Sequence, residues 1–250
     1  MTAFILLHGF AQTPRSWDTV AAALQAAGHR TYALDLYKRS DSSLGQLCAY
    51  VSEVVRKVAQ AEGAPVLVGY SMGGRIAAET LVRNPGLPLA ALVLESAGLG
   101  PADETTRAAA AKRSAEWSAR LHREGTASFM DWWETLPLFA SQRALSAETR
   151  AVVRAEREAH GADELARSLE AWGAQHQATE ADTLAALRAL GERNVPVRYL
   201  AGASDEKYAA LAERVRQAGL PATLVPQAGH NVHLEQPVTF LRVVEPLSKR

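Results

Sequence analysis

Residues 66–75 read Val66-Leu67-Val68-Gly69-Tyr70-Ser71-Met72-Gly73-Gly74-Arg75. An apolar, β-branched run ends in Gly-x-Ser-x-Gly, and a helix-favouring stretch from Arg75 to Arg83 follows at once. Strand, tight turn and helix in that order form the setting in which a serine is lifted out of a parallel sheet as a nucleophile. The serine on such a turn must hold strained backbone angles, and the flanking glycines leave no side chains where strand and helix come close. The turn also places N–H groups at a helix N-terminus, where positive partial charge collects. Ser71 is therefore the first candidate catalytic group.

Working outward, short apolar runs alternate with helical stretches. Strands are expected at Phe4–Leu7, Thr31–Leu34, Val66–Gly69 and Ala91–Leu94, with helices near Trp17–Ala27, Leu44–Ala61 and Arg75–Arg83. This alternation predicts an α/β fold with a mostly parallel, doubly wound sheet. From Gly98 to Arg193 the chain turns rich in Ala, Arg, Glu and Leu, punctuated by Gly125-Thr126, Leu136-Pro137-Leu138, Gly161 and Gly173. Strand-like runs return at Val197–Ala201 and Thr223–Val225, with a helix at Lys207–Gln217 between them. The expected organisation is a core of residues 1–97 and 194–250, interrupted by a helical lid at 98–193 over a site at the strand ends.

Composition narrows the classes of function. The chain has 250 residues, 48% apolar, with 27 basic and 27 acidic side chains. A formal net charge of zero carries no general attraction to nucleic acid or to an anionic membrane, so neither is an expected partner. The single cysteine, Cys48, cannot form an internal disulfide. No apolar run approaches the ~20 residues that span a bilayer. The start, Met1-Thr2-Ala3-Phe4, lacks the basic region of a secretory leader. A cytoplasmic protein, monomer or homodimer, acting on a small molecule is expected.

A serine nucleophile needs a base and a group that orients the base. Two further loops supply candidates in the order Ser, acid, His. Asp205 follows the strand ending at Ala201, and His230 follows Ala228-Gly229 just past the last strand. Asp205 also suits the cap of the helix beginning at Glu206, itself a weaker rival for the acid. His233 is the nearby competitor for the base. The oxyanion donors should be the N–H of Met72 and that of Phe10, the latter in His8-Gly9-Phe10 after the first strand. His8 is read as tying that loop rather than as a second base. No metal site is expected, since His230 and His233 lack a third ligand nearby. Gly69–Gly74 lacks the Gly-Lys-Ser/Thr of a phosphate loop, and no cofactor is expected.

These strings resemble the α/β-hydrolase superfamily along the whole chain. Within it the chain is most similar to the 2-succinyl-6-hydroxy-2,4-cyclohexadiene-1-carboxylate (SHCHC) synthases of menaquinone biosynthesis. The resemblance is carried by Leu7-His8-Gly9-Phe10, Gly69 to Ala77, Leu94-Glu95-Ser96-Ala97, Trp133 to Phe139, Leu200-Ala201-Gly202 with Asp205 to Tyr208, and Ala228 to Pro237. It implies a lyase that eliminates pyruvate from a succinylated cyclohexene carboxylate, with the triad as a base system. It further implies that Arg75, Arg157, Trp133 and Tyr70 bind a substrate bearing three carboxylates.

The chain departs from that pattern at one point. A second lid arginine of the family falls on Ala110, and the turn after Glu95-Ser96-Ala97 reads Gly98-Leu99-Gly100-Pro101. Arg107 or Arg113, about one helical turn to either side, are the two replacements available. The alternative function is a carboxylesterase or other serine hydrolase using the same triad through an acyl-enzyme. A complete Ser-His-Asp set argues against a non-catalytic binding protein on the same scaffold.

Overall fold

The structure is a computed structural model and describes residues 1–248. Its centre is a six-stranded sheet of β1 (Ala3–Leu7), β2 (Arg30–Leu34), β3 (Val66–Tyr70), β4 (Ala91–Glu95), β5 (Val197–Gly202) and β6 (Ala222–Val225). All neighbours are parallel, in the order β2-β1-β3-β4-β5-β6. Each expected strand is present, within a residue or two at its ends. β1, β3 and β4 are buried on both faces, which is why they read as unbroken apolar runs.

Alternate residues feed two cores. Phe4 and Leu6 join Trp17, Val20, Leu24 and Phe240 under helices α1 (Asp18–Ala26) and α10 (Pro237–Val244). Ile5 and Leu7 face α2 (Leu44–Glu62) and α3 (Met72–Arg83) on the other side. α8 (Glu206–Gln217) covers the same face beside β5 and β6, and α9 (Val232–Glu235) lies just before α10. The chain runs from β1 outward to β2, then crosses back to β3. The carboxyl ends of β1 and β3 therefore flank the switch point where open α/β sheets place their ligands.

The stretch 98–193 is mostly helical and divides in two. α4 (Glu104–Trp133), a 3₁₀ strap (Pro137–Ala144), α5 (Ala147–Glu158) and α6 (Ala162–Trp172) form a cover over the strand ends, with α4 packed along α6. α7 (Glu180–Glu192) instead packs on α3 and β5, as a crossover helix of the core. In packing terms the cover ends near Thr179, the N-cap of α7. Gly125, at φ 74° and ψ 171°, leaves the helical conformation and breaks α4 at a kink where two helical segments meet. No helix among the described residues is long and apolar enough to cross a membrane.

The turn from β3 into α3 is a very close backbone contact. A Cβ on Gly73 would lie 2.2 Å from the Leu7 carbonyl oxygen, a backbone atom that cannot yield. Gly73→Ala is therefore expected to cost about 3 kcal/mol, as overpacking does where neighbours are rigid. A lower denaturant midpoint with an unchanged slope would show it.

Candidate active site

Ser71 caps α3 in a strained conformation, φ 50° and ψ −108°. Its N–H donates to the Glu95 carbonyl at the end of β4 (2.8 Å), and its carbonyl accepts from Arg75 N–H (3.0 Å). The backbone is thus held from both sides and the side chain is left to project. Ser71 Oγ lies 3.0 Å from His230 Nε2. His230 Nδ1 lies 2.8 Å from Asp205 Oδ2. With Nδ1–H donating to the carboxylate, Nε2 is the nitrogen that accepts the serine proton. Both partners are buried, His230 at 1% exposure and Asp205 at 6%.

The structure unites the two readings of Asp205. Its Oδ1 accepts from Tyr208 N–H (3.2 Å) and caps α8, while Oδ2 orients the imidazole. His233 is engaged elsewhere. Its Nδ1 and its N–H both meet the Glu95 carboxylate (2.7 and 3.0 Å), and Trp17 stacks on its ring at 3.9 Å. Glu206 is exposed on the surface of α8.

Hydrogen-bond accounting singles out two backbone donors beside the serine. In the loop after β1, Gly9 N–H donates to Gln12 Oε1, Ala11 N–H to Tyr37 Oη, Gln12 N–H to Gly9 O and Thr13 N–H to Glu156 Oε1. Phe10 N–H alone of these five has no acceptor among the described residues. Met72 N–H, in the first turn of α3, has none either. Both residues line the same cavity as Ser71.

His8 ties the loop down. Its Nε2 accepts from Leu36 N–H (3.1 Å), leaving Nδ1–H to donate to the Gly9 carbonyl (2.9 Å). Burial pushes this imidazole from 6.5 down to about 4, so it is neutral when folded.

The cavity holds about 520 Å³ beneath the cover. Arg75 lines it, with Nη1 on the Trp172 carbonyl (2.7 Å). Burial lowers the Arg75 guanidinium from its usual value, and the nearby charge of Arg113 lowers it further, against an opposing effect of Tyr208. Arg113 also faces the cavity, its guanidinium 5.6 Å from the Trp117 ring centroid. Ala110 lines the wall one turn earlier. Arg107 points away, donating to the Gln175 and Gln177 carbonyls (2.6 and 2.8 Å), so of the two arginines it is Arg113 that lines the cavity. Lys207 adds a third cation, 5.0 Å from the Tyr208 ring centroid. Arg214 is neutralised by Glu180 (3.0 and 3.2 Å).

Two expected binding residues are not brought to this cavity. Arg157 is buried behind Phe139 and committed to Glu134 Oε1 (2.7 Å) and Gln142 Oε1 (3.1 Å). The carboxylate it meets is the protein's own. The Tyr70 ring is wedged under Gly9 and against His230 and His233, at centroid distances of 5.4 and 5.0 Å. Alternation along β3 sends it below the sheet edge, opposite to the serine's direction. Trp133 meets both of its readings: it walls the cavity and packs on Phe10, Phe129 and Phe139. Lys207 and Tyr208 had no role assigned from sequence. Their signal was available, because they follow the capping Asp205 in the first turn of its helix.

Two variants test this geometry. Asp205→Asn keeps a competent helix cap but presents the wrong hydrogen-bonding group to His230. It should leave the melting temperature nearly unchanged while turnover falls about 10³- to 10⁴-fold. For His8, an unfolded chain takes up a proton near pH 6.5 that the folded ring refuses until about pH 4. The stability held by the neutral ring is full above pH 6.5 and drains away as pH falls through that window. A His8→Gln variant should show a flatter profile of melting temperature between pH 6.5 and 4.

The fold and the site can be set beside known proteins. The alpha/beta hydrolase family model matches residues 4–243. A 2-succinyl-6-hydroxy-2,4-cyclohexadiene-1-carboxylate synthase of Enterobacter sp. (strain 638) is 32% identical over 241 residues, covering 93% of this chain and 86% of its own. The structure of MenH from S. aureus superposes with a TM-score of 0.84 at 23% identity, over 99% of this chain and 93% of that one. A thermophilic esterase from Thermogutta terrifontis superposes at 0.75 and 20% identity, over 98% and 89%. With its parallel sheet, its serine turn and a family match over nearly its whole length, the chain belongs to the alpha/beta hydrolase family, among relatives that include the SHCHC synthases.

Proposed function

We propose that this chain eliminates pyruvate from a succinylated cyclohexene carboxylate to form SHCHC, with Ser71, His230 and Asp205 as its base system. The observation that carries the reading is the charge of the cavity. Arg75, Arg113 and Lys207 face it without a carboxylate partner among the described residues. Arg75 is partly buried, where a cation is costly unless an anion meets it, while Arg113 and Lys207 are exposed on the same cavity lining. A substrate with several carboxylates supplies those anions, and the guanidinium fork matches two carboxylate oxygens at once. Sequence relatives that are SHCHC synthases point to the same chemistry.

The reaction follows from the geometry. A serine alkoxide is too basic to exist free near neutral pH, so Ser71 acts with His230 as proton acceptor. Ser71 Oγ takes the proton alpha to the succinyl ketone as its own proton passes to His230 Nε2. The electrons of the broken C–H bond move into an extended enolate, whose oxygen the Phe10 and Met72 N–H groups hold. Collapse of the enolate breaks the carbon–oxygen bond to the enolpyruvyl group. That group leaves as pyruvate enol after taking up the proton, and then becomes the ketone. No water is added and no acyl-enzyme forms. Asp205 keeps the imidazole oriented and stabilises its charged form.

A carboxylesterase fits the triad equally well but leaves the three cations without a role. The proposed partner is thus a small polycarboxylate, and a cytoplasmic site of action belongs to the same reading. A paired assay separates the two reactions. The pathway intermediate should be consumed with release of pyruvate, whereas short p-nitrophenyl esters should turn over slowly. Fast ester hydrolysis without pyruvate would sink the lyase reading. Arg113→Ala removes a cation that makes no hydrogen bond among the described residues. It should raise KM for the polycarboxylate about 10-fold, in line with one lost charge-assisted hydrogen bond. An unchanged KM would remove Arg113 from the binding site.

A further inference from the structure

The loop carrying the Phe10 donor is held from outside itself. Ala11 N–H donates to Tyr37 Oη (3.0 Å), and Tyr37 Oη lies 3.4 Å from Ser168 Oγ on α6. The Gln12 carbonyl accepts from His160 Nε2 (3.2 Å), and the other ring nitrogen, Nδ1, is held by Glu164 (2.9 Å). Glu156 Oε1 accepts both the N–H and the hydroxyl of Thr13, each at 2.6 Å. Glu156 stands near the end of α5, and His160 lies in the turn leading to α6. Both belong to the cover and sit more than 140 residues from the loop in sequence. The Tyr37 ring packs on His160 with centroids 4.4 Å apart.

Three residues in a row after Phe10 are therefore bound through their backbone, two of them by the cover. One of the three is strained: Ala11 has a left-handed φ of 53°. A non-glycine residue keeps such a conformation only where its surroundings over-determine it. Here part of that surrounding is the cover.

We propose that Glu156 and His160 are positioning residues for the oxyanion donor, so that seating of the helical cover and alignment of the Phe10 N–H are a single event. A cover that shifts takes half of the anion-stabilising pair with it, while Met72, on the core helix, stays in place. The inference rests on reading Phe10 and Met72 as the oxyanion donors, and is independent of whether an enolate or a tetrahedral adduct occupies them.

The test uses the full chain and four variants, Glu156→Ala, Glu156→Gln, His160→Ala and His160→Gln. Arg154→Ala serves as a control: it unties α5 from Asp131, Glu134 and the Ala127 carbonyl without touching residues 9–13. One readout is the rate at which a fluorophosphonate labels Ser71. In that step Ser71 Oγ displaces fluoride at phosphorus, its proton passes to His230, and the phosphoryl oxygen occupies the oxyanion position. The second readout is amide hydrogen exchange at residues 9–13.

The two alanine variants should label about 10- to 100-fold more slowly, the range expected for a displaced rather than deleted donor. Exchange at Ala11 and Thr13 should quicken while the melting temperature stays close to that of the parent. The glutamine variants, which keep an acceptor at 156 and a donor at 160, should recover most of the rate, and Arg154→Ala should label like the parent. Folded alanine variants that label at the parent rate overturn the proposal. So does a loss that Arg154→Ala reproduces or that the glutamine variants fail to recover. Failure of the lyase reading is seen separately, as a parent protein that labels normally at Ser71 but releases no pyruvate.

Discussion

Everything at this site depends on how closely the start of α3 approaches the end of β1. Gly73 lies so near the Leu7 carbonyl that no side chain fits between them. That approach forces the turn at Ser71 into its strained φ of 50°, with the serine N–H tied to the Glu95 carbonyl on the next strand. It also brings the Met72 N–H beside the loop that leaves β1, so two donors from different elements face one cavity. Backbone strain collects along this sheet edge, at Ala11, Ser71 and Ser96 alike. Such strain persists where packing on all sides holds it, and here buried strands supply that packing.

The second organising fact is electrostatic. A chain with no net charge gathers three cations at one cavity with no carboxylate partner among the described residues. Arg157, Arg214 and Arg154 all meet carboxylates of the protein itself. Arg75, Arg113 and Lys207 do not, and this asymmetry separates a site for a polyanion from a generic acyl pocket. In the proposed reaction the triad supplies proton transfer, and the cations choose the molecule on which it acts.

The helical cover has two tasks. Through Trp133, Arg113 and Ala110 it shapes the cavity, and through Glu156 and His160 it grips the loop bearing Phe10. α7 takes no part in that grip, because it packs on α3 and β5 as part of the core.

The sequence by itself determined the strands, the serine turn, the order of the triad and the loops that hold it. Those features have local causes: unbroken apolar runs for buried strands, glycines where backbones touch, and an Asp or His just past a strand end. It also carried the departure at Ala110 and the two arginines able to answer it. Only the tertiary structure decided between them, turning Arg113 inward and Arg107 onto two backbone carbonyls. It also withdrew Arg157 from the cavity, because Glu134, 23 residues away in sequence at the C-cap of α4, is brought against it. Which way a long charged side chain points is settled by competition among partners on separate elements. That competition leaves no periodic or local trace, so it becomes visible only once the cover is packed on the sheet.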